Sequence, residues 1–489
     1  MKDSKAYIAL QTLNVYELNR FKKFVNSPYF NVNESLIKLF ELYNNEIRSE
    51  DSKDVELTKE DVWLYVFSSE GYNDTRLRKL SSDFLRLLEQ FLAQEQFENN
   101  PLHRANYLLK ALSEKKIEKL YKGSVSTARR LSNQQLERTA SYYYYQYQIE
   151  KNLFGLTTEF EKKSGVKSDK INLNINQIGY NLDLFYLGEK IKYYCTLLTW
   201  KNVLNFEADL SFIDDTIKQI NKINYEEIPP IAIYYQIYLT YVEPDEEDHF
   251  HKLKELIKNY LEVFPHTEAN GIYEATLNYC VSKVNRGNQS YFNEMFELFE
   301  YGLKSKILIT NDQLDPAIFR NIAITALRLG KFNWTDNFIK DYNHLIDARF
   351  RQNAVIFNSA RLETYKKDFE KVIELLREVT FEDLVYELSS KALQIVAYYE
   401  LDEHEVLISF LSSFNTFLRR NTKIPDRRKN NYKKLIYFTR KLIKLAPRMK
   451  PDIAKLKTEI NESDNFADKP WLLEKIGELQ GNRALLSPN

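Results

Sequence analysis

Asp315-Pro316-Ala317-Ile318-Phe319-Arg320-Asn321-Ile322-Ala323-Ile324-Thr325-Ala326-Leu327-Arg328-Leu329-Gly330-Lys331-Phe332-Asn333-Trp334 opens a stretch, running to Leu418, that reads as one helix-turn-helix unit written three times. Phe319, Ile322, Ala323, Ala326 and Leu327 recur at helical spacing, Gly330-Lys331-Phe332 breaks the run, and Trp334, Phe338, Ile339 and Tyr342 make a second apolar stripe. A second unit has Ala354, Ile356, Phe357 and Leu362, a turn over Tyr365 to Phe369, then Val372, Ile373 and Leu376. A third has Leu388, Ala392, Leu393 and Val396, a turn near Asp402-Glu403, then Val406, Leu407, Phe410 and Leu411.

Phe332 and Phe369 stand 37 residues apart and Val372 and Val406 stand 34 apart, a period that suits tetratricopeptide-like helix pairs and not armadillo or leucine-rich units. The run Ala326-Leu327-Arg328-Leu329-Gly330-Lys331-Phe332, with Trp334 and Phe338, resembles the Leu-Gly-x-Tyr core of a tetratricopeptide repeat. The other two copies lack that Leu-Gly pair. The expected fold is all-α: an α-solenoid of tetratricopeptide-like pairs with an N-terminal helical domain, divided as 1–100, 101–418 and a basic C-terminal part, 419–489.

Composition points the same way. Gly and Pro number 12 each among 489 residues, well below ordinary usage of about 7% and 5%. Phosphate loops and doubly wound sheets need glycine where φ is positive or where backbone approaches a ligand, and this chain has few to give. Apolar residues are 44% of the chain, with 34 Tyr and 30 Phe, ample for a core. The 69 basic and 69 acidic residues cancel, which excludes a uniformly basic coat but not a local patch. Cys195 and Cys280 lie in apolar helical segments and read as buried free thiols. No apolar run reaches membrane-spanning length, so a soluble cytoplasmic protein without membrane contact is expected.

In chain order, helices are expected over 6–13, 17–25, 34–47, 59–67 and 75–93, with Asn14 and Thr58 as caps and Asp61 completing a capping box. The run Glu17-Leu18-x-Arg20-Phe21-x-x-Phe24-Val25-x-Ser27-Pro28-Tyr29-Phe30-Asn31 resembles the start of uncharacterised helical-repeat proteins of Bacteroidota, a likeness that implies no activity. Thr58 to Leu88 has the outline of a DNA-reading helix-turn-helix with Arg76, Arg78, Lys79 and Arg86 on its second helix, but Leu77, Leu80, Phe84, Leu87 and Leu88 explain that helix by core packing alone, as a plain hairpin with a solvated basic face. Tyr142-Tyr143-Tyr144-Tyr145-Gln146-Tyr147 is aromatic around a whole helix, which is then enclosed or offered to a partner. The polar break Glu161 to Asp169 reads as an internal hinge loop, and 171–310 as further helix pairs with no strand. Ile453–Ile460 and Lys469–Gln480 read as a closing pair sealed by Trp471 and Leu472, and Gly481 to Asn489 as frayed.

Arg419 to Lys450 holds thirteen Lys and Arg against one acid, Asp426. Arg419, Arg420, Arg427, Arg428, Lys429, Lys433, Lys434, Arg440, Lys441 and Lys444 form a basic patch, for acidic segments of the chain itself, for an acidic protein, or for nucleic acid. No phosphate loop, paired-cysteine site or His-Glu-x-x-His occurs, so no cofactor, metal site or enzyme is expected. His249 and His251 with Glu255 are the nearest approach to a metal cluster, and they read as a solvated helix face. The functional expectation is a non-enzymatic scaffold or adaptor that binds a protein or peptide along the first helices of the pairs, through Asn321, Arg328, Asn358, Arg361 and Gln394. The alternative is a nucleic-acid-associated regulator using 419–450 or the helix 75–88.

Overall fold

The computed structural model describes residues 1–49, 57–68, 70–134, 137–163, 174–204, 209–377, 384–445, 449–464 and 466–481. The contact pattern divides the chain into two units, Met1–Ala232 and Ile233–Asn489. Among the described residues almost everything regular is α-helix. Residues 164–169 of the expected hinge, and 482–489 of the expected frayed end, lie outside the described residues.

The first unit begins with α1 (Lys5–Gln11), α2 (Val15–Val25), α3 (Glu34–Arg48), α4 (Lys59–Phe67) and α5 (Asp74–Glu98) around a core of their own, which includes Leu10, Phe21, Phe40, Tyr43, Phe84 and Leu88. Phe21 meets Phe40 and Phe84 edge-on, with ring centroids 5.3 and 5.8 Å apart, the geometry aromatic quadrupoles favour. Both expected caps form. Asn14 Oδ1 accepts from the backbone N–H of Tyr16 and Glu17 while Glu17 accepts from Asn14 N at 2.8 Å. Thr58 and Asp61 make the same reciprocal box. At the turn after α2, Asn31 donates to Val25 O at 2.8 Å and Phe30 stacks on Phe24 at 4.0 Å.

Next come α6 (Pro101–Glu114), α7 (Glu118–Gln134), α8 (Ala140–Lys163), α9 (Ile175–Leu204) and α10 (Ile213–Ile220). The tyrosine run on α8 is half-buried on every side and not fully enclosed. Burial nevertheless pushes the Tyr143 phenol up to about 12. Gly188 lets α9 lie close on α8, because a Cβ there would sit 3.2 Å from that of Ala140.

The division between the units falls inside α11 (Pro229–Val242). The second unit continues with α12 (Glu247–Tyr260), α13 (His266–Asn285) and α14 (Tyr291–Lys304). A short β-ribbon then departs from the all-helical expectation. Ile309 pairs with Leu314 and Thr310 with Gln313, β1 (Ile309–Thr310) running antiparallel to β2 (Gln313–Leu314). Asn311 and Asp312 turn the ribbon at φ 51° and 58°, the left-handed pair a two-residue hairpin requires and the residue types that tolerate it.

After the ribbon come α15 (Pro316–Arg328), α16 (Phe332–Tyr342), α17 (Ala348–Lys366), α18 (Phe369–Arg377), α19 (Leu384–Glu400), α20 (His404–Arg420), α21 (Asp426–Leu442), α22 (Lys450–Glu462) and α23 (Lys469–Leu479). Each helix from α15 to α21 packs on the next, and α15, α17, α19 and α21 also pack on one another in turn. The three turns share one construction. Lys331 N bonds Ala326 O, Asp368 N bonds Glu363 O and Glu403 N bonds Tyr398 O, each at 3.0 Å. Gly330, Lys367 and Asp402 take the left-handed position, at φ 70°, 65° and 58°. This is a Schellman end written three times. A single apolar core then runs from Leu388 to Ile476, across α19 to α23.

Candidate partner groove

On the first helix of each pair, residues three and four apart share a face, so polar side chains punctuating an apolar helix mark where it meets solvent. Arg328, in the last turn of α15, is exposed; Arg361, on α17, is half-buried with its guanidinium 5.4 Å from the Phe357 ring. Both line one cavity of about 360 Å³, together with Tyr365, Glu400, Asp468 and Trp471. Asn321 is exposed and Gln394 half-buried, and neither lines that cavity. Asn358 is fully buried, its Nδ2 donating to Ala354 O at 2.7 Å and its Oδ1 without a partner among the described residues.

The far wall is the closing helix. Trp471 Nε1 donates to Glu400 at 2.7 Å, and Lys475 Nζ donates to Glu400 at 2.9 Å and to Glu478 at 3.0 Å. Burial alone would lower the Lys475 pKa, but the bonds to Glu400 and Glu478 outweigh it and hold the ammonium above its ordinary value. Asp468, just before α23, sits in the left-handed region at φ 51°. Burial pushes its carboxyl up, and the guanidiniums of Arg361 and then Arg328 pull the other way. Leu472 is fully buried and Trp471 meets the Tyr399 ring edge-on at 5.3 Å, so the expected sealing residues do pack. Glu400 and Asp468 carried no sequence signal as site residues, being ordinary acids at a helix end and a loop.

The basic patch falls into two sets. Lys429 pairs with Asp426 at 3.8 Å, Lys434 with Asp464 at 3.4 Å and Lys441 with Glu459 at 2.6 Å, while Arg440 donates to Ser412 Oγ at 2.9 Å. Arg419, Arg420, Arg427, Arg428, Lys433 and Lys444 are exposed and make no ion pair among the described residues. A cleft of about 880 Å³ runs beside them, lined by Arg427, Lys433, Lys434, Tyr437 and Asp464.

The α4–α5 hairpin differs. Arg76 pairs with Glu70 and lies 4.1 Å over the Phe67 ring, Arg78 pairs with Asp74 at 2.6 Å, and Arg86 with Asp83 at 3.0 Å. Those acids would repel a phosphate beside each arginine. His249 bonds Glu243 at 2.8 Å and His251 lies against the Phe250 ring. Cys195 and Cys280 are buried, and burial pushes both thiols up, away from reactive thiolate. No helix among the described residues is long and apolar enough to cross a membrane. No protein-family model, curated protein or solved structure matches the chain.

Proposed function

We propose that the chain is a non-enzymatic protein-binding scaffold, built as an α-solenoid of tetratricopeptide-like helix pairs, whose first helices receive a peptide or helix of a partner. The observation that carries this reading is the convergence of Arg328, Arg361 and Glu400 on one cavity. Each is a charged residue from one of three successive first helices. Packing of α15, α17 and α19 on one another supports the stacked arrangement that such a groove needs. Two guanidiniums lining one cavity offer a partner's carboxylate charge-assisted bonds of the strong kind. Alanine at Asn321, Arg328 and Arg361 together is expected to abolish recovery of the partner in a quantitative pull-down read by mass spectrometry. Unaltered recovery would remove the groove from the account.

A second reading rests on the six exposed cations around α21 that make no ion pair among the described residues: a polyanion, nucleic acid included, docks along that helix. Binding of that kind releases counterions and weakens steeply with salt. Retention on heparin or mixed-sequence DNA that is lost between low and moderate salt, and lost in an Arg427→Ala/Lys433→Ala variant, would support it.

A further inference from the structure

A different surface carries an inference independent of the groove. Helix α9 spans 30 residues, Ile175–Leu204, about 45 Å at 1.5 Å per residue. One of its faces is packed inward, with Leu184, Leu187, Ile191, Tyr194, Cys195 and Leu198 buried. The opposite face carries large apolar side chains too. Ile175, Leu182, Tyr186, Tyr193 and Trp200 are between 42% and 62% exposed. Their steps of seven, four, seven and seven residues place them on one straight seam, the a and d positions of a heptad, with Gly179, Glu189 and Thr196 filling the remaining places. Scattered exposed apolar residues need no explanation, but a seam some 37 Å long does.

We infer that α9 is the interface through which two copies of this chain pair, helix against helix and antiparallel. Antiparallel heptad seams oppose a with d, so a two-fold axis between Leu187 and Gly188 sets Trp200 against Ile175 of the second copy and Tyr193 against Leu182. It also sets Tyr186 against Glu189 and Gly179 against Thr196. Every large side chain meets a complementary one, and the two central phenols each face a carboxylate able to accept their hydrogen bond. On one flank, Asp183 of each copy comes opposite Lys190 of the other, a charge match repeated twice by the symmetry. A parallel pairing would instead stack Glu189 on Glu189 and Tyr186 on Tyr186. Large aromatics carry about 150–250 Å² each, roughly half of it open here, so the seam and its polar flanks bury about 1,000 Å² over two copies. That is the lower end of what a specific interface needs, and it describes a dimer that dissociates on dilution.

Sedimentation of the full chain tests this. The wild type is expected to sediment, at micromolar concentration and above, with twice the mass of one chain. Tyr193→Glu places a charge against Leu182 at two symmetric points and is expected to reduce the mass to one chain with an unchanged far-ultraviolet dichroism spectrum. A Leu182→Cys/Tyr193→Cys variant is expected to form a disulfide-linked dimer under mild oxidation, since the native thiols are buried. A wild type of single-chain mass overturns the inference. So does a folded Tyr193→Glu protein of doubled mass, or an oxidised double-cysteine variant that remains uncross-linked.

Discussion

Glu400 and Trp471 are held together by a 2.7 Å hydrogen bond from the indole Nε1 to the carboxylate, across 71 positions of sequence. The same carboxylate accepts from Lys475 at 2.9 Å, and both charged side chains are largely buried. One acid at the end of α19 therefore fixes how the closing helix lies.

Removing that acid should loosen the far end of the unit. Glu400→Ala leaves the Trp471 indole N–H without its acceptor and the largely buried Lys475 ammonium with Glu478 alone, at an expected cost of about 2 kcal/mol. Glu400→Gln retains an oxygen for Trp471 and should cost less. Urea denaturation of the two variants reads the difference.

The left-handed turn residues should respond to glycine in opposite ways. Lys367 and Asp402 hold a conformation that costs an L-residue about 1–2 kcal/mol, part of which glycine gives back through unfolded-chain entropy. Lys367→Gly and Asp402→Gly are each expected to raise stability by up to about 1 kcal/mol, and Gly330→Ala to lower it by about 1 kcal/mol. Thermal melts of the three single variants check this directly.

Gly302 on α14 has no room for a methyl group. A Cβ there would lie 2.8 Å from Leu308 Cδ1 and 2.8 Å from the Tyr273 hydroxyl, closer than real side chains approach. Gly302→Ala is expected to cost about 1–3 kcal/mol, because α13 or the segment leading into the ribbon must move. Hydrogen exchange should localise the loosening to residues 266–308.

Asp347 caps α17 through the backbone N–H of Arg349 at 2.9 Å and holds the Arg349 guanidinium at 3.1 and 3.0 Å. These bonds hold its carboxyl down at about 2, against about 3.9 unfolded. A lowered folded pKa stabilises above the unfolded value, and the stabilisation disappears as pH falls through the folded one. Asp347→Asn, which can still cap, should therefore lose less stability than the wild type between about pH 4 and pH 2. Acid-unfolding curves of the two proteins should converge below that window.

Much of this fold was legible because amphipathic periodicity and short capping side chains act locally. The helices at 59–67 and 34–48 and the boxes at Asn14 and Thr58 depend on neighbours three or four residues away. The repeated turn was half hidden, since Lys367 and Asp402 adopt the glycine conformation without the glycine. The ribbon escaped because two residues per strand are too few to show an alternation. Around the cavity, one signal had two outcomes. Polar residues on apolar helices singled out Arg328, Arg361 and Asn358 alike, yet Asn358 turns into the helix layer. Glu400 and Asp468 gain their setting only from a helix that arrives some seventy residues after α19. The α9 seam carried no signal of its own in the sequence, because large apolar residues stand on both faces of that helix and only burial separates them.

The core shared by α19 to α23 makes the protein intolerant of early termination. Phe438 stacks on Phe466 at 5.2 Å, and Leu435 and Leu442 belong to the same buried set as Leu472 and Ile476. A nonsense codon between Lys450 and Lys469 would leave those side chains wet on one flank, and quality-control proteases would be expected to clear the shortened product before it could compete with the intact one.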